Sequence, residues 1–340
     1  MQNSSRYINW INALKALSIV FVFFAHAQYY YHCRLPFLNR FINPWYVNAF
    51  FFLSGYLLFW KQLSEPRINE DSKKFVVTGS GRTLFFNIVF RIIIPSILFS
   101  IIELVPSSLI QNRSLSVGYA LQKTLGGGTY WFTSALAVAE LIILALLCTR
   151  KRSVWFYAIL CLLLSGIGLL IVRFGILPGG FWAWRHGLLA LVFLAMGGVY
   201  WRYEKKIDQL MNSWFILVLL GAYVALCLCF KSSSTLISTL KIQPIGYLTS
   251  LIACLLMVWL CKRLPEMKIL TFIGKNSLGF YLVSGALPVI LCFIANKVVA
   301  GRPVWTMLVI WLTSLFLAYG VVWLMNKWAP WLLDLRRKRG

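Results

Sequence analysis

The sequence predicts an all-α polytopic membrane protein of about ten transmembrane helices, with both termini in the cytoplasm. Three observations lead there. Hydrophobic residues make up 60% of the chain and charged residues only 12%, against roughly 25% charged in a typical soluble protein. Apolar runs of about 20 residues, the length that crosses a bilayer, recur along the whole chain. The runs are continuous rather than alternating, and in lipid a continuous apolar run satisfies its backbone only as a helix. A soluble globular enzyme, a disordered chain and a small disulfide scaffold are excluded. At ~30–35 residues for a span and its loop, the length holds about ten spans.

Apolar runs between charges place the spans in order at about Ile8–Tyr30, Pro44–Trp60, Leu84–Leu104, Tyr130–Thr149 and Val154–Val172, then His186–Trp201, Trp214–Phe230, Ile245–Cys261, Ile269–Ile294 and Val304–Met325. Pro36 and Pro44 separate the first two. The first run carries polar residues and no small-residue cleavage site, so it reads as a span and not as a signal peptide. The longest connections are about Lys61–Thr83 and Val105–Thr129, the second containing Gly126, Gly127 and Gly128, which reads as a flexible loop. Neither is long enough for a second folded domain, so residues 1–340 are expected to form one integral-membrane domain.

Orientation follows from the basic residues. The N-terminal segment, the connections after even-numbered spans and the C-terminal tail hold twenty Lys and Arg; the other connections hold ten. Short loops rich in Lys and Arg stay in the cytoplasm, which puts both ends there. The formal net charge is +24. The basic residues are scattered through short loops, so they read as span caps and not as a nucleic-acid surface. A basic cytoplasmic face does suit an anionic, phosphate-bearing ligand. The eight cysteines show no CxxC pair and no metal-ligand spacing with His, so neither a disulfide framework nor a metal is expected.

Ionisable groups inside spans are costly and mark candidate functional positions. They are Lys15 and His26 on the first span, Arg91 and Glu103 on the third, Glu140 on the fourth and Lys275 near the start of the ninth. Glu103 lies toward the outer end of its span and is expected to be hydrated. Lys15 and His26 are eleven residues apart. Eleven steps of ~100° return to within ~20° of the same face, about 16 Å along the axis. A cation in the cytoplasmic half and an imidazole deeper in suit an elongated ligand with an anionic head and a reactive tail. The structural alternative is a snorkelling lysine and a hydrogen-bonded core histidine.

Four segments carry a family resemblance. INALKALSIVFVFFAHA (Ile11–Ala27), with a basic residue, ten residues and then His, resembles the opening helix of the membrane acyltransferase-3 family. FFLSGY (Phe51–Tyr56), YWFTSALAVAEL (Tyr130–Leu141) and FIGKNSLGFYL (Phe272–Leu282) are similar to its later segments, in the family's order and across nearly the whole chain. The chain departs from the pattern in three places. Asn12 stands where an acidic residue is frequent; Val283 and Ser284 follow the late Tyr-Leu where a His is frequent; and of the Arg-x-x-Arg element only Arg91 before Pro95 remains, with Arg82 nine residues earlier.

The resemblance implies a multi-pass enzyme of the inner (plasma) membrane that moves an acyl group, usually acetyl, from cytoplasmic acyl-CoA to a hydroxyl of a sugar on a surface or exported polysaccharide. Acetyl-CoA is then a donor substrate, and no cofactor is permanently bound. His26 is the expected general base and Lys15 the group that holds an anionic part of CoA or stabilises developing charge. Arg91, Arg82 and Lys275 are candidate acyl-CoA contacts. Ser54, Gly55, Glu140 and Trp131 are candidate pocket residues, with Glu140 a candidate partner for His26 or a sugar hydroxyl; close helix packing by small residues is an equal reading of Ser54 and Gly55, and a structural pairing with Lys or Arg the alternative for Glu140. Trp182, Trp184 and His186, in FWAWRH, offer faces for the acceptor sugar. A transporter or flippase of a lipid-linked glycan is the competing expectation; it uses the same charges but consumes no thioester and does not need His26.

Overall fold

The computed structural model describes residues 2–63, 81–110, 116–149, 153–176, 181–229, 237–240, 242–299 and 301–334. The helices are α1 (Gln2–Tyr30), α2 (Pro36–Ile42), α3 (Asn48–Leu63), α4 (Gly81–Ile88), α5 (Ile94–Ile110), α6 (Val117–Thr124), α7 (Trp131–Thr149), α8 (Val154–Phe174), α9 (Trp184–Leu210), α10 (Ser213–Cys229), α11 (Pro244–Arg263), α12 (Lys268–Lys275), α13 (Ser277–Val283), α14 (Ala286–Val298) and α15 (Val304–Trp328). A π-turn at Val89–Ile93 joins α4 to α5, and the following Pro95 accounts for it, because a proline has no N–H for the carbonyl four residues back. Among the described residues there is no strand. Seven helical stretches there are long and apolar enough to cross a membrane, and Asn48–Trp60, Trp131–Leu147 and Ser213–Cys229 are shorter apolar helices. The fold class is the expected one: an all-α, multi-pass membrane protein.

Two spans and one connection differ from expectation. The sixth is followed, beyond a kink at Tyr203 close to its expected end, by a further helical stretch of α9 to Leu210 that carries EKKIDQ. The ninth is broken into α12, α13 and α14, at Asn276 and again at Ser284–Gly285. The connection Val105–Thr129 holds a helix, α6, N-capped by the Ser116 hydroxyl on the Tyr119 N–H and closed by the glycines that follow.

The chain folds as two compact units. The first comprises Met1–Ile42, Ile94–Tyr130 and Leu260–Gly340; the second comprises Asn43–Ile93 and Trp131–Trp259. In the first, α1 is the central rod. Leu14, Ala16, Ile19, Phe23 and Ala27 have no solvent exposure although they lie on different sides of it, which is what a helix apolar all round implies. α12 docks at Asn12, where a Cβ on Gly274 would overlap the Asn12 backbone, so only glycine fits. α15 runs along the other side: Trp311 Nε1–H donates to the Val20 carbonyl at 2.9 Å and its ring meets Phe24 at 5.0 Å. Beyond α1, Gln28 and Asn39 exchange amide hydrogen bonds of 3.0 and 2.9 Å, and Gln28 Oε1 also accepts from the Leu35 N–H. That fixes the turn into α2.

The second unit is organised by α9, which packs against α3, α7 and α8. Its crossing with α3 uses small residues to bring two backbones together. A Cβ on Gly55 would overlap the Leu194 carbonyl, and one on Gly197 would overlap that of Phe52. Polar groups tie the remaining helices. Tyr56 Oη–H donates to Glu204 at 2.7 Å, Asn48 Nδ2–H to Ser250 Oγ at 2.9 Å, and the Tyr247 hydroxyl to the Leu189 carbonyl at 3.1 Å.

Candidate active site

In the first unit, α1 carries Lys15 and His26 on one face, both partly buried. Ile19 and Val22, on the same stripe between them, are buried. Asn12 and Ser18 lie about 60° to either side of Lys15 on the helical wheel. Both are buried, at 5% and 0% exposure. The Asn12 Nδ2 and Ser18 Oγ atoms have no hydrogen-bond partner among the described residues. Buried donors of this kind are rare and favour an occupant that brings acceptors. Lys275, the last residue of α12, is exposed.

His26 is held by the break in the ninth span. Pro288 has no N–H, so the carbonyl four residues earlier, that of Ser284, has no intrahelical donor. The His26 Nδ1 lies 2.6 Å from that oxygen. A carbonyl only accepts, so Nδ1 is the protonated nitrogen and Nε2 of the neutral ring presents its lone pair. The neighbouring acceptors at the break are also used. The Tyr281 carbonyl receives the Ser284 N–H at 3.1 Å and its hydroxyl at 2.7 Å. The Leu282 carbonyl receives the Tyr130 hydroxyl at 2.7 Å. Tyr130 Oη also lies 2.7 Å from Glu103 Oε2. The Tyr30 ring is 5.9 Å from the imidazole. Glu103, expected to be hydrated, is therefore partly buried and hydrogen-bonded. The sequence signal for this assembly is Pro288, four residues after Ser284.

Replacing Pro288 by Ala restores a backbone N–H that competes with His26 for the Ser284 oxygen. One net hydrogen bond is worth ~1 kcal/mol, so in the Pro288→Ala variant the preference of His26 for the Nδ1–H tautomer is expected to fall about fivefold, read by nitrogen NMR of histidine-labelled protein.

The other sequence-predicted residues belong to the second unit. Ser54 Oγ–H donates to Glu140 in a short hydrogen bond; the orienting group on His26 is the Ser284 carbonyl. Gly55 is the packing glycine of the α3–α9 crossing. The Trp131 and His186 rings meet with centroids 5.0 Å apart, tilted by 44° to each other. Trp182 sits in left-handed backbone, φ 53°, as does Ala183, φ 46°, and packs on the cluster of Leu84, Ile88, Ala137 and Leu144. Trp184 lies under the Arg185 guanidinium at 5.7 Å. Arg91 is exposed in the π-turn. The Arg82 side chain lies outside the described residues, as do the basic residues at 150–152 and 336–339. Among the described residues, no group of three His, Cys, Asp or Glu is placed to hold a metal ion.

An all-α multi-pass membrane protein with an imidazole tautomerically fixed inside its helices has the parts of a membrane-embedded group-transfer enzyme. The family model described as an acyltransferase domain matches residues 8–327, and the chain belongs to the acyltransferase-3 family. It is an acyltransferase. No curated protein and no solved structure matches the chain.

Proposed function

We propose that the protein moves an acetyl group from cytoplasmic acyl-CoA to a hydroxyl of an exported or cell-surface glycan, in the inner (plasma) membrane and with both chain termini in the cytoplasm. The observation that carries this reading is the Nδ1 hydrogen bond of His26 to the Ser284 carbonyl. It leaves Nε2 as the base. Nε2 takes the proton of the acceptor hydroxyl as that oxygen attacks the thioester carbonyl carbon. The C–O bond forms, the C–S bond breaks, and the leaving thiolate takes the proton back from Nε2. The products are the O-acyl sugar and CoA thiol, and His26 is neutral again.

Donor chemistry fits the α1 stripe. The phosphates and pantetheine of CoA bring anionic oxygens for Lys15 and amide carbonyls for the unmet Asn12 and Ser18 donors. The thioester then lies toward His26, about 16 Å further along. Lys275, at the end of α12, offers a further cation to the phosphates.

Label from acetyl-CoA supplied outside inverted membrane vesicles is expected in alkali-labile esters on glycan. Absence of both labelled ester and released CoA thiol overturns the reading. Lys15→Met is expected to raise the donor KM roughly tenfold or more, the value of one charged hydrogen bond, with Lys15→Arg retaining most of the affinity; initial rates over a range of acetyl-CoA check it.

A further inference from the structure

We infer that Tyr130, backed by Glu103, is a positioning residue for His26: its hydroxyl pins the Leu282 carbonyl and so holds the broken turn whose Ser284 carbonyl fixes the imidazole. This rests on the reading of His26 as the base.

The break between α13 and α14 is one turn of chain that presents two acceptors, the Leu282 and Ser284 carbonyls. In a continuous helix the Leu282 carbonyl would accept from the Ala286 N–H and the Ser284 carbonyl from residue 288. At the break these acceptors go to side chains from elsewhere in the unit. Leu282 takes Tyr130, and Ser284 takes His26. The two carbonyls are two residues apart, so movement of one carries the other. Pro288 frees the Ser284 oxygen but does not direct it, since the absence of a donor sets no orientation.

Tyr130 supplies the direction. It stands immediately before α7, is buried, and its ring packs edge-on to Tyr281 at 5.9 Å. Glu103 sits behind it near the end of the third span. Its Oε2 is 2.7 Å from the phenol oxygen, and a Cβ built on Gly285 would lie 3.4 Å from its Oε1, so the carboxyl group rests against the break itself. An acidic group in a membrane span is costly unless it serves the site. Here it serves to hold the phenol oxygen. The lever has three parts: Glu103 places Tyr130, Tyr130 places Leu282, and the turn places Ser284 on Nδ1.

The chain has three histidines. A His32→Gln, His186→Gln background leaves His26 as the single imidazole, so nitrogen NMR of histidine-labelled full-length protein in lipid nanodiscs reads its tautomer without any reaction. The Nδ1–H form is expected there, and adding Tyr130→Phe is expected to give a mixture with the Nε2–H form. In the otherwise unchanged chain, Tyr130→Phe is expected to lower kcat by about ten- to a hundredfold with donor KM unchanged, the scale of a small misplacement of a catalytic group. Glu103→Gln presents an amide N–H that donates to the phenol oxygen, leaving the phenol proton on the Leu282 carbonyl, and is expected to keep the tautomer and most of kcat. Glu103→Leu is expected to behave as Tyr130→Phe, and it carries the test if the latter does not fold. A single Nδ1–H tautomer in Tyr130→Phe, with kcat either unchanged or lowered, overturns the proposal: Pro288 then suffices, or the phenol acts other than through His26. A mixed tautomer in Tyr130→Phe together with full transfer by His26→Ala leaves the positioning intact and overturns the base role instead.

Discussion

His26→Ala is expected to lower acyl transfer by about 10²–10⁴-fold, the usual worth of a positioned general base. The side chain offers one free nitrogen because the other is committed to the Ser284 carbonyl at 2.6 Å. Removing the ring leaves the proposed acceptor hydroxyl with no proton acceptor at neutral pH, and leaves the Ser284 oxygen without its side-chain donor. His26→Gln separates the two losses: the amide can donate to the Ser284 oxygen but cannot act as a base, so it is expected to restore stability and not rate. Thiol release in proteoliposomes measures the first, and thermal melting in detergent the second. Transfer at the full rate by His26→Ala withdraws the mechanism.

Substitution at the α3–α9 crossing is expected to have the largest effect on stability. A Cβ on Gly55 would overlap the Leu194 carbonyl, and one on Gly197 the Phe52 carbonyl. Both obstacles are helix backbone, which does not move aside as a flexible side chain would. Gly55→Ala or Gly197→Ala is expected to cost about 3 kcal/mol, at the upper end of ordinary overpacking. Separating these helices also loosens Tyr56 from Glu204, a 2.7 Å hydrogen bond across the same pair. The expected readout is a lower melting temperature for either single variant and loss of folded, monodisperse protein for the double variant. At Gly166, with open space where its Cβ would sit, alanine is expected to be neutral or slightly stabilising. Equal melting for all three variants would contradict the close crossing.

The architecture was legible in the sequence because lipid leaves the chain few choices. A run such as Leu84–Leu104 can satisfy its own backbone only as a helix, and span limits followed from where charges begin. The face shared by Lys15 and His26 was legible for a similar reason, since helical geometry fixes angles along one element. The limits failed where polarity did not mark the end of a helix. EKKIDQ is polar yet helical beyond the kink at Tyr203, and FIGKNSLGFYLVSGALPVI is largely apolar yet breaks at Ser284–Gly285.

The FFLSGY segment shows how far local pattern carries. It marked Ser54 and Gly55 and offered close helix packing as an equal reading, but it named neither α9 as the helix that Gly55 meets nor the acid on α7 that Ser54 meets. Glu103 shows the reverse. Its position near the end of a span read as hydrated, and only the return of the chain at Tyr130 gives it a partner.

The sequence by itself determined an all-helical membrane chain, the acyltransferase-3 pattern, and a cation and an imidazole on one stripe of the first span. Those properties depend on composition, run length and the angular step of a helix, which are local. The tertiary structure decided which nitrogen of His26 is free, which carbonyl holds it, and that Tyr130 and Glu103 meet the same turn. Those depend on residues more than 150 positions apart in the chain, such as His26 and Ser284 or Tyr130 and Leu282. A helix break exposes acceptors without naming their donors, and only folding brings the donors to them.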